Sequence, residues 1–419
     1  MNLRKEIKLS DLVPKRRRKD VDAAQPAEPK RERKRRFARK PKETTVEPAV
    51  PKAAKPKQAR RKLERTGRAK KIVGLKIGAS QIAAARVVNN GEPHLVQVAR
   101  TELDSGIVVG GELREIEELA QVLRRFFRAH KLPRQNVRLG ISNNRIGVRS
   151  FEIAGIDDEK QLANAIRYRA QETLPIPVEE AVLDYQILGE RTDEEGIRHR
   201  RVLLVVAYRD LIDRYAAACK KAGLRLAGID LEAFALLRAL APPAGDEPST
   251  SAVVVVSIGH DRTTFAVSDG RACQFTRVVE WGGGSLDSAI AKTLDLSPSE
   301  ARPIKLALSL TEPSIPAGLT SEQAEQVRQA VLRELHEFAR ELVSSLQFYQ
   351  SQPSSLGIGE IVLAGGTAQL PGFGGELSRL LGVRTRVGDP LMHISVGKKV
   401  DREQAFGSLT AAIGLGIDH

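Results

Sequence analysis

The chain has 419 residues, with 67 Lys and Arg against 52 Asp and Glu, a formal net charge of +15 and 4% aromatic residues. That length accommodates two or three domains and a sizeable core, while two cysteines far apart, Cys219 and Cys273, exclude a disulfide scaffold and a cysteine-based metal site. No apolar run reaches the ~18 residues that span a bilayer and the N-terminus has no apolar stretch of a secretory signal, so the expectation is a cytoplasmic protein.

The positive charge is concentrated at one end. Residues 1–71 carry 27 Lys and Arg and 9 Asp and Glu, a net of +18, which leaves the remainder at −3. Leu3, Ile7, Leu9, Leu12 and Val13 form a short apolar start, followed by basic clusters at 15–19 and 34–40. The segment holds too little apolar surface to offset its ordering entropy and reads as a disordered basic tail. Its clusters suit an anionic membrane surface. Phe37 alone interleaves them, which argues against base stacking on nucleic acid.

From residue 72 the pattern is α/β. Ile72, Val73, Leu75 and Ile77 predict a strand, Gly78-Ala79-Ser80-Gln81 a tight turn, and a second strand closes on Val87 and Val88. Such a turn can present N–H groups and a hydroxyl to a phosphate. A strand over 94–99, an amphipathic helix over 111–130 and a strand over 136–141 follow. Residues 148–228 read as an inserted α+β module: strand 148–153, helix 158–172, strands 183–188 and 202–207, and a helix over 210–222 ended by Gly223. After a helix over 231–240, Pro242-Pro243-Ala244-Gly245 marks a boundary.

The second half repeats the device of the first. Residues 252–257 form a β-branched run, and a polar turn from Gly259 to Thr264 leads into a strand over 265–267. Two such hairpins about 180 residues apart suggest an internal duplication. Gly282-Gly283-Gly284 precedes a helix near Leu286, residues 321–350 predict a long helix, and the strand 360–364 runs into Gly365-Gly366-Thr367. Three Gly-containing turns at strand ends can converge on a cleft between the halves, where a backbone without Cβ approaches a phosphate or purine closely.

These stretches resemble the actin/sugar-kinase/chaperone-ATPase superfamily and, within it, the PilM family of type IV pilus assembly. The resemblance covers 72–419. Its most specific parts are YRAQETLPIPVEEAVLDYQILG (168–189) and VLLVVAYRDLIDRYAAACKKAGLRLAGIDLEAFALLRAL (202–240), with SIGHDRTTFAV (257–267), SSLQFYQSQ (344–352) and IVLAGGTAQLPGF (361–373) completing it. It implies a two-lobed actin-like fold, a duplicated ribonuclease-H-like core with the inserted module. The first lobe would span 72–147 and 229–250, the second 251–388, and 389–419 would return to the first, with a terminal helix over 411–417. ATP would bind between the lobes. A PilN-like inner-membrane protein would dock its cytoplasmic N-terminal peptide beside the module.

Carried over by position, the resemblance assigns Gly78, Ala79 and Ser80 to the first phosphate turn and Gly259, Thr263 and Thr264 to the second. Gly365, Gly366 and Thr367 would contact the adenosine, and Lys305 would lie near the base. There are departures. Where the family has hairpin aspartates that organise Mg²⁺, this chain has Lys76 and Ser257, and glutamates are replaced by Arg302 and by Arg169. Lys76 disfavours the metal and favours a bare phosphate. The expectation is therefore a scaffold with a degenerate nucleotide cleft; an active ATPase or small-molecule kinase, with Asp261 or Glu280 as base, is the alternative.

Overall fold

The computed structural model describes residues 70–173, 177–242, 249–312, 315–352 and 355–418. The basic tail up to residue 69, residues 174–176 of the Leu-Pro-Ile-Pro segment and 243–245 of the expected boundary lie outside the described residues.

The first lobe opens with an antiparallel meander, β1 (Lys70–Ile77), β2 (Gln81–Asn90) and β3 (Glu92–Glu102). A short hairpin, β4 (Val108–Val109) and β5 (Glu112–Leu113), leads to α1 (Ile116–Ala129) and to β6 (Val137–Ile141), which runs parallel to β1. The helix expected from residue 111 thus begins later. Gly110 and Gly111, at φ 59° and 78°, turn the chain in the left-handed region, and Leu113 sits in β5 although it fits the helical period.

The module contains β7 (Ile146–Ala154), α2 (Glu159–Thr173), β8 (Ala181–Thr192) and β9 (Arg198–Tyr208), with sheet order β7-β9-β8. Strand alternation divides β9 between two cores. Val202, Leu204 and Val206 meet Leu162, Ile166 and Ala170 of α2. Leu203 and Ala207 join the first-lobe core together with Leu211, Tyr215 and Cys219 of α3 (Arg209–Lys221). The module is therefore built into the lobe through α3, which packs on α1. Then β10 (Leu226–Leu231) lies parallel to β6, and α4 (Glu232–Leu240) follows.

The second lobe repeats the order: a meander of β11 (Ala252–Ile258), β12 (Thr263–Ser268) and β13 (Cys273–Val279), then α5 (Gly283–Leu294), α6 (Pro298–Ala307) and α7 (Ser321–Gln350). Next come β14 (Ile358–Ala364), parallel to β11, α8 (Phe373–Leu381) and β15 (Thr385–Val387). The chain returns to the first lobe with β16 (Ser395–Val396), paired to β3, and α9 (Thr410–Gly416), packed against β1, β2 and α4.

One sheet runs β10-β6-β1-β2-β3-β16 and the other β15-β14-β11-β12-β13. In each, a three-strand meander is continued on the side of its first strand by two parallel strands. This is the duplicated ribonuclease-H-like order that the resemblance implies, and the paired hairpins are its first two strands. The spacing also foretells the buried face of α7, Val327, Val331, Leu335, Phe338, Leu342, Leu346 and Tyr349, a helix capped by Thr320 and Gln323. Both cysteines are buried, and burial pushes each thiol up to about 12, which removes them as nucleophiles.

Candidate functional site

Alternation along the two central strands decides which side chains reach the space between the lobes. In β1, Val73, Leu75 and Ile77 enter the first-lobe core, so Gly74 and Lys76 face α9 and α4. In β11, Val254, Val256 and Ile258 enter the second core, so Val255 and Ser257 face the α4 side. Lys76 and Ser257 are therefore pseudo-symmetric residues at the ends of equivalent strands.

The turns that follow share one hydrogen bond. Gly78 N–H donates to the Gln81 carbonyl at 2.9 Å, and Gly259 N–H donates to the Arg262 carbonyl at 2.9 Å. The third turn follows β14. Gly365 has φ +89°, and a Cβ there would lie 2.1 Å from the Ile258 carbonyl oxygen, so the position tolerates glycine only. The start of α5 closes on the second turn: Gly283 N–H donates to the Gly259 carbonyl at 2.9 Å and Gly284 N–H to the His260 carbonyl at 2.7 Å. The Thr367 hydroxyl donates to the same Gly259 carbonyl at 3.0 Å.

These elements line a cleft of about 340 Å³. Of the expected residues, Lys76, Gly78, Ala79, Ser80, Gly259, Thr264, Lys305, Gly365, Gly366 and Thr367 lie on its wall. Thr263 does not: it is buried, and its hydroxyl donates to the Trp281 carbonyl at 2.7 Å. Thr264 joins the lobes at the floor, its hydroxyl 2.6 Å from that of Ser142. Asp261 also spans the gap, accepting from Gly110 N–H at 2.9 Å, and Arg302 reaches Glu102 across the rim at 3.3 Å.

The charged groups are mostly committed. The Lys305 ammonium lies 2.7 Å from Asp287 and donates to the Gly283 carbonyl at 2.7 Å; burial holds its pKa below the usual lysine range. Glu280, an expected candidate base, instead accepts from Asn144 at 2.8 Å and is not on the cleft wall. Among the described residues two acids do line the cleft: Asp261, the other expected candidate, and Glu232, the first residue of α4, which no sequence expectation names. For Glu232 the geometry is close. Its Oε2 lies 3.5 Å from the Lys76 ammonium, the side chains being 3% and 16% exposed. Its other oxygen is buried with no hydrogen-bond partner. No local sequence signal marks it, since α4 also carries the charged Arg238.

This donor set does not fit a Mg²⁺ ion at the end of β1. A divalent cation about 4 Å from an ammonium is repelled by about 8 kcal/mol at an effective dielectric of ~20. Ser257 contributes no charge, and among the described residues no three Asp, Glu, His or Cys side chains converge. Turn N–H groups and an ammonium do fit a phosphate.

His260, in the second turn, is held below the usual imidazole range, chiefly by burial; Asp287 and Asp261 oppose that shift, while Lys305 and Arg302 add to it. The unfolded chain therefore takes up a proton that the folded chain resists as pH falls below the ordinary value of 6.5. Stability contributed by this site is expected to fall from pH 7.5 to 5.5, and His260→Gln to lessen that fall in urea unfolding curves recorded at both pH values.

Residues 74–418 match the family described as type IV pilus assembly protein PilM. The chain is 26% identical over 361 residues to the cell division protein FtsA of Escherichia coli (strain K12), covering 77% of this chain and 84% of that protein. Among solved structures it is similar to the PilM–PilN type IV pilus biogenesis complex, with a TM-score of 0.68, 24% identity, and 82% of this chain and 97% of that one covered. A weaker likeness, TM-score 0.49 and 16% identity, is to the ethanolamine utilization protein EutJ of Carboxydothermus hydrogenoformans, over 85% of this chain and 93% of that one. With a two-lobed actin-like fold and a match that runs from β1 to the end of the described residues, the chain belongs to the PilM family of type IV pilus assembly proteins.

Proposed function

We infer that the protein is a cytoplasmic actin-like scaffold of type IV pilus, or related secretion, assembly. It holds the cytoplasmic N-terminal peptide of a PilN-like inner-membrane protein beside the inserted module, and a nucleotide, ATP or ADP, occupies the cleft. Through that partner it sits at the inner face of the cytoplasmic membrane, where the basic residues of 1–71 add contact with anionic lipid. The observation that carries this reading is the family match across both lobes and the module; the likeness of fold to the PilM–PilN complex supports it.

One observation favours turnover instead. Glu232 lines the cleft, and one oxygen of its carboxylate is buried without a hydrogen-bond partner, a state a general base could occupy. Lys76 opposes this, because its ammonium already occupies the carboxylate as an ion-pair partner. The test is a labelled peptide matching the cytoplasmic N-terminus of the PilN-like protein of the same organism, titrated with the full chain. Saturable binding without steady phosphate release from ATP is expected. Steady release with no peptide binding would replace the scaffold with the enzyme.

A further inference from the structure

Positive side chains outnumber negative ones around the cleft. Its wall presents Lys76, Arg100, Arg262, Arg302 and Lys305 against the carboxylates of Glu232 and Asp261. Asp261 accepts from the Gly110 N–H and lies 3.6 Å from Arg262, which offsets its charge. Glu232 lies against Lys76.

Lys76 cannot leave this position cheaply. It is paired in register with Ala83 on one side and Gly140 on the other, inside a six-stranded sheet, and its side chain is nearly buried. Its ammonium therefore stands immediately before the Gly78 turn, next to turn N–H groups that also bear partial positive charge. Both kinds of donor are satisfied by an anion and opposed by a cation.

We propose that this cleft takes the bare polyphosphate of a nucleoside di- or triphosphate, without a divalent cation, Lys76 supplying the charge that a metal would otherwise bring. The proposal rests on the reading of the cleft as a nucleotide site and makes it more specific. In this arrangement Mg²⁺ competes with the protein for the phosphate oxygens rather than bridging them. Glu232 is an antagonist of the anion, since it holds part of the ammonium's charge.

The experiment is calorimetric titration of the full chain with ADP and with ATP, in EDTA and in millimolar Mg²⁺. Binding in EDTA is expected, weakened about tenfold by Mg²⁺, which corresponds to about 1.4 kcal/mol. Glu232→Gln keeps the shape of the side chain and removes its charge, so it should tighten binding in EDTA severalfold; Lys76→Arg should preserve the Mg²⁺-independent mode. Binding that tightens with Mg²⁺, or that is weakened by Glu232→Gln, overturns the proposal and leaves the nucleotide cleft standing. No heat with either nucleotide in either buffer overturns the nucleotide reading itself, and this proposal with it.

Discussion

Gly414→Ala is expected to destabilise the protein by about 3 kcal/mol, at the upper end of what overpacking a tight contact costs. Alanine in a helix is ordinarily favoured over glycine by about 1 kcal/mol, so the sign of the effect is the test. At Gly414 in α9, a Cβ would lie 1.8 Å from the Ala235 carbonyl oxygen of α4 and 2.5 Å from its carbonyl carbon. The obstacle is backbone and the added atom has no rotamer, so one helix has to move. That motion would reach the lobe junction, because α4 packs Leu236, Leu237 and Leu240 against Val255 and Val362 of the second lobe. Calorimetry should show a drop in Tm of roughly 4 °C. Gly189→Ala, where no atom lies within 4 Å of the new Cβ, is the control and should leave Tm nearly unchanged. A neutral or stabilising Gly414→Ala would mean that α4 and α9 are not in backbone contact.

Lys305→Met is expected to cost about 3–5 kcal/mol, the range for breaking a buried ion pair from one side. The side chains of Asp287 and Lys305 are 2% and 11% exposed, so solvent screens the pair little. Without the ammonium, the neighbour of Asp287 that can carry positive charge is the partly buried His260 imidazole, 3.8 Å away, whose burial opposes its protonation. The double substitution Asp287→Asn with Lys305→Met removes both charges and should recover most of the loss in urea unfolding. Failure of the second change to rescue the first would place the cost in packing rather than in the orphaned charge.

The fold was legible where period and punctuation agree. Residues 321–350 keep a helical period over eight turns, and the Gly-terminated strands at 72–77 and 252–257 announce themselves by composition. The resemblance then supplies the duplication, which the matching strand orders bear out. Less was legible where local pattern and tertiary context part. Leu113 fits the face of α1 but is drawn into β5 by the turn at Gly110 and Gly111. The strand β13 mixes Cys273, Phe275 and Val279 with Gln274, Thr276 and Arg277, and its partner β12 is what holds it extended. In α6, Pro303 lies inside the helix, against its intrinsic propensity; the cap at Ser297 and Glu300 offsets this. Within the cleft, the glycine turns and Lys76 were readable because they lie at strand ends. Glu232 was not, because its importance comes from a lysine 156 positions earlier, which only the folded sheet brings alongside.

The return of α9 to the first lobe also has a kinetic side. The side chain of Asn89 donates to the Gly416 carbonyl at a sequence separation of 327, and α9 covers the face of β1 and β2 that would otherwise expose Ala83, Ala85 and Val87. The second lobe's sheet and its main helices come from one continuous stretch, 252–387, and need no such closure. On a ribosome, the lobe synthesised second is therefore the first that can complete its core. The first lobe waits, with one sheet face open, until α9 emerges. Pairing over such long separations is slow to nucleate, and an incomplete sheet face is a surface for chaperones or for aggregation.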